Sequence, residues 1–541
     1  MARAGDVTDQ GGRVDKRPNI LLIMTDQQKA DSLSIYGNRH VRTPALDRLA
    51  EGGAVFDGMI CNYPACTPGR SAVMTGRYPH TTGVRANHLH LPEYELSLPV
   101  VLDRAGYRLG MVGKNHVFPD GTIWSQFRVG RMALREFDNL PRQPEVEAEL
   151  RAEGLVADHR SLFDTWYGAN HFGPDGEEFS DIRQFALQKQ YWRSFAGAGT
   201  LPFDKDRCTS AVLGARAAEF VRDNAERDEP WMLWLSFPDP HNPYLAPEPY
   251  ASMYDPATVD IPPDDPMTDK PQRHAISKRM NGMQDYPEDI IRKAVAIQYG
   301  QVTAIDDGIA KVMAALDESG QLENTIVVFT TDHGGYVGDH GSWHKSLAFF
   351  DCLIRLPMII SWPATIAPQR LERGFMEQVD ILPTLLGLAE VELPPGVQGR
   401  SVVAALQGDR DGLRDVAFAE GGEAGTPVTW SDLPFQPDDP LDSRLFGWDG
   451  FAEAWIGQGK MLRTATHKYV WWANGEEELY DLNADPDELR NLANRDDPAT
   501  TERKRGFKDQ LLSWSVGTED QLAPHTFNVY FDDIIHDRLP F

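Results

Sequence analysis

The chain reads as an α/β protein: a mainly parallel sheet sandwiched by helices, followed by a smaller α+β unit. Three observations predict this. Two short stretches, Asn19-Ile-Leu-Leu-Ile-Met-Thr-Asp26 and Thr325-Ile-Val-Val-Phe-Thr-Thr-Asp332, are apolar until a final acid, as strands buried on both faces are. Such strands alternate with helical segments along residues 19–400, the order that builds a parallel sheet covered by helices. Between Gly396 and Gly408 the pattern changes, and Lys460 to Trp472 then alternates like an antiparallel strand pair.

The elements follow in order. After the polar segment 1–18, expected to be flexible, comes the strand to Asp26. Thr43 then acts as N-cap and Pro44 as first helical residue of a helix to Ala50, closed by Gly52-Gly53. Ala54 to Cys61 reads as a strand, and a helix starts near Cys66. Leu98 to Ala105 is helical, ended by Gly106, and Tyr107 to Val112 is a strand leading into Gly113-Lys114-Asn115-His116. Residues 118–205 lose all periodicity and are rich in Gly, Pro, Arg and aromatic residues. They are too long for a plain loop and read as an insertion, with Trp124, His159, Arg160, Trp166, Tyr167, Asn170 and His171 as substrate-facing or packing residues.

Ala211 to Glu226 is helical, Trp231 to Phe237 a strand, and Pro287 to Glu318 one long helix or two. Arg355 to Ser361 is a further strand and Val379 to Leu388 a helix. The C-terminal unit, 401–541, carries the antiparallel pair, a helix from Pro486 to Ala493, and an aromatic, acidic tail, His525 to Phe541. Packing on the body or on a neighbouring subunit is the expected role of the tail, so a homo-oligomer stays open.

A net charge of −28 over 541 residues argues against nucleic-acid or anionic-membrane binding, both of which require a basic face. A locally positive site for a small anion is still compatible with it. Four cysteines, Cys61, Cys66, Cys208 and Cys352, make no disulfide framework. Met1 to Pro18 lacks the apolar core of a signal peptide, and no run reaches the ~18 apolar residues of a membrane span. The expected location is cytoplasmic.

The chemistry centres on Cys66-Thr67-Pro68-Gly69-Arg70. Pro68 suits an early helical position, which puts Cys66 at a helix N-terminus and Arg70 one turn on, on the same face. A helix N-terminus favours anions, and a guanidinium can hold an oxyanion by two hydrogen bonds. From these five residues alone, a reactive centre and a buried inert thiol are both open. Asp26-Gln27 and Asp332-His333 stand at the ends of strands that can be neighbours; two carboxylates, an amide oxygen and an imidazole can hold a divalent cation, although a strand-end Asp also serves as a helix cap. Lys114 and His116 would share one face if the chain stays extended there.

Cys-x-Pro-x-Arg followed by Ser-Ala-Val-Met-Thr-Gly-Arg-Tyr-Pro-His resembles the signature of the sulfatase family, whose fold is alkaline phosphatase-like. Gly106-Tyr-x-x-Gly-x-x-Gly-Lys114-x-His116, Pro240-His241-x-Pro243 and Asp332-His333-Gly-Gly resemble further family motifs, in the family's order. Lys468-Tyr-Val through Glu478-Leu-Tyr to Leu492 is similar to the terminal domain, so the resemblance spans nearly the whole chain. It implies that Cys66 is oxidised to formylglycine by a formylglycine-generating enzyme. It further implies one divalent metal on Asp26, Gln27, Cys66, Asp332 and His333. Calcium is the family's usual ion; Gln27 in place of a second aspartate, as in the choline sulfatase and phosphonate monoester hydrolase branches, makes manganese the alternative.

The resemblance also implies a mechanism. One hydroxyl of the hydrated aldehyde attacks sulfur, while Lys114, Lys345, Arg70 and the cation stabilise charge on the sulfuryl oxygens. His241, with Lys345, protonates the leaving alcohol, and His116 takes the proton from the second hydroxyl, releasing sulfate. The substrate would be a small sulfate ester, either a sulfated saccharide or an alkyl, choline-like or aryl sulfate. Lys114 favours sulfate esters over a phosphonate monoester or phosphodiester, the second reading; a non-catalytic binding protein with an unmodified Cys66 is the third. His88 and His90 are candidates for the pocket rim, and His340 and His344 have no assigned role.

Overall fold

The structure, a computed structural model, describes residues 17–92, 94–118, 198–201, 204–242, 244–281, 288–409, 412–433 and 457–519. Most of the 118–205 insertion, with the seven residues named above, and the His525–Phe541 tail lie outside the described residues. Among the described residues, no helix is long and apolar enough to cross a membrane.

Seven strands form the main sheet: β1 (Asn19–Thr25), β2 (Ala54–Phe56), β3 (Arg108–Gly113), β4 (Trp231–Ser236), β5 (Thr325–Thr331), β6 (Ile359–Ser361) and β7 (Gln369–Leu371). Their order is β7-β2-β6-β5-β1-β4-β3. β1 lies parallel between β4 and β5, with Thr25 opposite Thr331. That register ends β1 and β5 together, so Asp26 and Asp332 leave the sheet as neighbours. Only β6 is reversed in this sheet, antiparallel to both β2 and β5. Two expected strands are each divided. Pro357, which has no N–H to give a ladder, separates β6 from Arg355–Leu356. A turn at Asp57-Gly58 separates β2 from Met59–Ile60, and both fragments join in a side sheet.

The helices used below are α1 (Pro44–Glu51), α2 (Cys66–Thr75), α3 (Leu98–Arg104), α4 (Thr209–Asp223), α5 (Gln272–Asn281), α6 (Glu288–Glu318), α7 (Ile381–Leu388) and α8 (Pro498–Gly517). Alternate residues of β1 separate the two cores, as strand geometry requires. Ile20, Leu22 and Met24 pack with Val73 of α2, Leu98 of α3 and Leu382 of α7. Leu21 and Ile23 pack with Leu213 of α4 and Ile305 of α6. α4 and α6 touch backbone to backbone, since a Cβ on Gly214 would lie 2.4 Å from the Gly308 oxygen.

Thr43 does not cap α1 with its side chain. The carboxylate of Asp306, on α6, instead accepts the N–H groups of Ala45 and Leu46 at 2.9 and 2.8 Å. A long-range acid thus replaces the local cap and ties α1 to α6.

The C-terminal part holds four antiparallel strands, β8 (Ala417–Gly421), β9 (Gly459–Arg463), β10 (His467–Trp472) and β11 (Glu477–Asp481), with α8 packed through Leu511 and Trp514. The expected helix over 486–493 is absent; the stretch is a run of turns. The Asp485 carboxylate takes the N–H groups of Leu489 and Arg490, and Glu488 has φ +55, so the helical ladder cannot form. The helix starts later, where Asp497 caps Thr500 and Pro498 is the first helical residue. Met461, Val470 and Trp472 belong to the same core as β1.

Glu478 joins α5 to this sheet. It is buried and accepts from Trp472 Nε1 at 2.7 Å and Tyr480 Oη, with His274 Nε2 at 2.9 Å. Burial pushes its carboxyl up, but His274 and the hydrogen bonds outweigh it and bring it down to about 2. The folded carboxyl thus titrates below its ordinary 4.5, so its contribution is complete above pH 4.5 and disappears as pH falls towards 2. Glu478→Gln is expected to remove on the order of 3 kcal/mol of stability at pH 7 and to flatten the decline below pH 4.5. Denaturant melts at several pH values measure this; an unchanged acid limb would contradict it.

Candidate active site

α2 begins at Cys66, after Ala65 in extended conformation. Asn87 Oδ1 accepts the Thr67 N–H at 3.1 Å, one of the first-turn donors that lack a helical partner. Gly69 is dictated by what the helix faces: a Cβ there would lie 2.5 Å from the Asp332 oxygen. The glycine of the signature thus lets α2 sit directly on the end of β5. Gly76, at φ +64, ends the helix in the left-handed conformation glycine tolerates.

Around Cys66 Sγ the structure gathers side chains that are far apart in the sequence. Lys345 Nζ lies 2.9 Å away, His333 Nε2 3.2 Å and Asp26 Oδ1 3.7 Å. His116 lies beside Cys66 and interacts with it electrostatically. Burial and Asp26 push the Cys66 thiol up; Lys114, Lys345 and His333 outweigh them and leave it well below its ordinary value. Cys61 is a free thiol directed at the Tyr63 carbonyl, 3.0 Å away, so it is not paired with Cys66.

Arg70 departs from its expected role. It is fully buried, with Nε on Asp332 Oδ2 at 2.8 Å, Nη2 on Asp26 Oδ2 at 3.0 Å, and Nη1 on the Lys114 carbonyl and Ser236 Oγ. Its fork therefore grips the two strand-end carboxylates from behind and does not reach towards a substrate. Both Oδ1 atoms are left facing Cys66 and His333. Asp26 Oδ1 is 3.9 Å and Asp332 Oδ1 3.7 Å from His333 Nε2. One donor atom from each of Asp26, Cys66, Asp332 and His333 lies within 4.8 Å of the others, all buried. Ligands about 2.0–2.6 Å from a shared cation stand at such separations from each other. Gln27 has φ +59, and its buried Oε1 has no hydrogen-bond partner. Gln27 follows Asp26 directly, and a buried amide oxygen without a partner is chemically suited to a hard cation. His333 Nδ1 sits 2.6 Å from the Gly334 carbonyl, which fixes the ring and directs Nε2 at the cluster.

Lys114 and His116 reach the centre, but not by an extended chain. β3 ends at Gly113, with φ +102, and His116 has φ +53. Lys114 Nζ donates to Asp26 Oδ2 at 2.6 Å. His241 follows β4, its Nδ1 2.7 Å from the Asn242 carbonyl and its Nε2 3.3 Å from Lys345 Nζ. Burial, then Lys345, lowers its pKa to about 3. His116 is likewise lowered, by burial and then Lys114.

Three supporting residues escaped the sequence reading. Ser236, at the end of β4, holds Arg70; the Trp234 ring lies 6.0 Å from its guanidinium; and Gln378 Nε2 donates to the Asp332 carbonyl at 2.6 Å. Only Ser236 carried a signal, as the last residue of an apolar strand. His88 and His90 are exposed. His340 is structural: it stacks on Phe350 at 3.9 Å, with Nδ1 3.0 Å from Asp265.

Comparison places this fold among known hydrolases. A phosphonate monoester hydrolase of Agrobacterium radiobacter superposes with a TM-score of 0.70 at 25% identity, covering 93% of this chain and 96% of that one. The fold is thus alkaline phosphatase-like. Residues 18–391 match the sulfatase family model, and the chain belongs to the sulfatase family. It is 27% identical to an arylsulfatase of Clostridium perfringens (strain 13 / Type A) over 493 residues, 89% of this chain and 91% of the relative. A choline-sulfatase of Rhizobium meliloti (strain 1021) is 27% identical over 540 residues, 96% of this chain and 89% of that one. The protein is a sulfuric ester hydrolase.

Proposed function

We propose that Cys66 is converted to formylglycine and that the centre hydrolyses a small sulfate ester to an alcohol and inorganic sulfate. The observation that carries this is the convergence of Lys345, His333, His116 and Asp26 on the Cys66 side chain in a member of the sulfatase family. Cys66 Sγ marks where an oxygen of the hydrated aldehyde would stand. Maturation then requires a formylglycine-generating enzyme. Aryl, alkyl or choline-like sulfates and sulfated saccharides are the substrate classes. The relatives' names, arylsulfatase, choline-sulfatase and N-acetylglucosamine-6-O-sulfatase, support the aryl, choline-like and saccharide classes respectively.

Asp26, Gln27, Asp332, His333 and the group at position 66 would hold one divalent cation. When bound, it supplies Lewis-acid charge to the sulfuryl and nucleophile oxygens. Calcium suits the carboxylate and amide oxygens, and manganese the imidazole as well.

The other residues divide the proton work. His116 is kept neutral by burial and Lys114, so it is ready to accept a proton from the group at position 66. His241 is neutral too, and with Nδ1–H directed at Asn242 its Nε2 accepts from Lys345. Lys345 is therefore the proton donor to the leaving oxygen, and His241 orients it. Lys114 and Lys345 together bring positive charge to the sulfuryl oxygens. Arg70 acts at one remove, by holding Asp26 and Asp332.

This division predicts a leaving-group effect. Lys345→Ala is expected to lower kcat on an alkyl sulfate by roughly 100-fold or more, and about 10-fold less severely on nitrophenyl sulfate, whose leaving group needs little protonation. Equal losses on both substrates would contradict the donor role. Parallel rates on nitrophenyl sulfate and a phenyl phosphonate monoester test the reaction class; faster turnover of the phosphonate would overturn the reading.

A further inference from the structure

We propose that Lys29 and Asp339, a buried ion pair that does not touch Cys66, are positioning residues that set the two metal-ligand loops against each other. This rests on the cation reading above. Lys29 lies just beyond Asp26-Gln27, on the loop leaving β1. Asp339 lies midway between His333 and Lys345, at the tip of a hairpin whose short strands are Tyr336–Val337 and Trp343–His344. One loop therefore carries Asp26 and Gln27, and the other carries His333 at its start and Lys345 at its end.

Near the sheet the loops are joined by two contacts: Gln27 N–H to Asp332 Oδ1 at 3.1 Å, and Gln28 N–H to Thr331 Oγ1 at 3.3 Å. Both lie where the loops begin. At the hairpin tip the link is Lys29 Nζ, 2.8 and 2.9 Å from the two oxygens of Asp339. The ammonium also lies 3.4 Å from Asp31. Asp339 is further fixed by the Val337 N–H, on its own hairpin, at 2.9 Å. The pair is well shielded, with side-chain exposures of 7% for Lys29 and 14% for Asp339. Screening by salt and solvent is weak at such a site.

The consequence concerns Lys345. It follows the second hairpin strand directly, and its Nζ must stay within reach of Cys66, His333 and His241. A hairpin tip free to swing about its base at β5 would move Lys345 and the His333 ring relative to Asp26 and Gln27. Pinning the tip to Lys29 removes that freedom. The same tip also bonds elsewhere, through His340 N–H to the Pro263 carbonyl at 3.1 Å. The ion pair is nevertheless its direct tie to the loop that carries Asp26 and Gln27.

The test must separate position from simple folding, because removing one partner leaves a buried charge. The double variant Lys29→Met/Asp339→Leu removes both charges and keeps side-chain bulk. Full-length wild type, the double variant and Lys29→Arg are compared in three measurements: melting temperature in chelator, affinity for Mn²⁺ and Ca²⁺ by titration calorimetry, and kcat and KM on nitrophenyl sulfate. The expected result is a double variant that melts cooperatively, binds both ions about 10-fold or more weakly, and loses at least as much kcat, with KM changed far less. Lys29→Arg should recover most of both losses. Wild-type ion affinity and kcat in the double variant would overturn the positioning role alone. A double variant that has lost cooperative melting would overturn it too, because the pair would then be holding up the fold. A wild-type protein that binds neither ion would overturn the cation reading and this proposal with it.

Discussion

Cys66→Ala will lower kcat/KM for nitrophenyl sulfate by roughly 10⁴-fold or more, while cooperative unfolding is retained. The size follows from what is lost. The group at position 66 is the point on which Lys345, His333, His116 and Asp26 converge, so its removal leaves them with nothing to activate. Groups that act as one unit are not additive. Lys345→Ala added to Cys66→Ala should therefore reduce the residual rate little further. The substitution is small and sits at the first residue of α2, where it disturbs neither Gly69 nor the Asn87 cap. A Cys66→Ala protein within 10-fold of wild type, by initial rates on purified enzyme, would remove this residue from the chemistry.

Arg70→Met will destabilise the metal-free protein by about 3–5 kcal/mol. Arg70 is the cation shared by the Oδ2 atoms of Asp26 and Asp332, at 3.0 and 2.8 Å, and all three side chains are fully buried. Without it, Asp26 keeps Lys114 but Asp332 loses the guanidinium that grips it, and burial together with Asp26 already raises the Asp332 pKa to about 6. Arg70→Lys should rescue poorly, because one ammonium cannot reproduce a fork that bonds two carboxylates, a carbonyl and Ser236 at once. A divalent cation should recover part of the loss by binding only the folded form. Denaturant melts with chelator, calcium or manganese check both claims. Wild-type stability in chelator would show that the carboxylates do not need Arg70.

These two residues illustrate what a sequence can and cannot disclose. Asp26 and Asp332 were legible because an apolar run that ends in an acid marks a buried strand and its functional end. Cys66 stood out through the resemblance of Cys66-x-Pro-x-Arg70 and its downstream residues to the sulfatase signature; the helix start at Pro68 alone left an inert thiol equally open. The direction of Arg70 was not legible: helical spacing puts it on the face of Cys66, but whether it grips carboxylates or a substrate depends on the register of β1 with β5. The same limit explains Thr43. Its sequence is that of a local cap, and nothing near it announces that Asp306 will arrive from α6 to take the N–H groups.

The C-terminal part shows the converse. Residues 486–493 have helical composition, yet Asp485 binds the backbone donors that a helix would use. α8 has the opposite character, a polar stretch with few buried side chains, Leu511 and Trp514 among them. Its apolar periodicity is too sparse to signal a helix, and tertiary packing against β9 and β10 supplies what the pattern lacks. Lys29 and Asp339 were invisible for a simpler reason: each is an ordinary surface-type residue until the two loops are folded together.

The most direct measurement is the mass of the Cys66 peptide from protein produced with a formylglycine-generating enzyme. Formylglycine at position 66, in proportion to sulfate-ester activity across preparations, is the predicted result. A fully active preparation whose Cys66 peptide carries only an unmodified thiol would contradict the account.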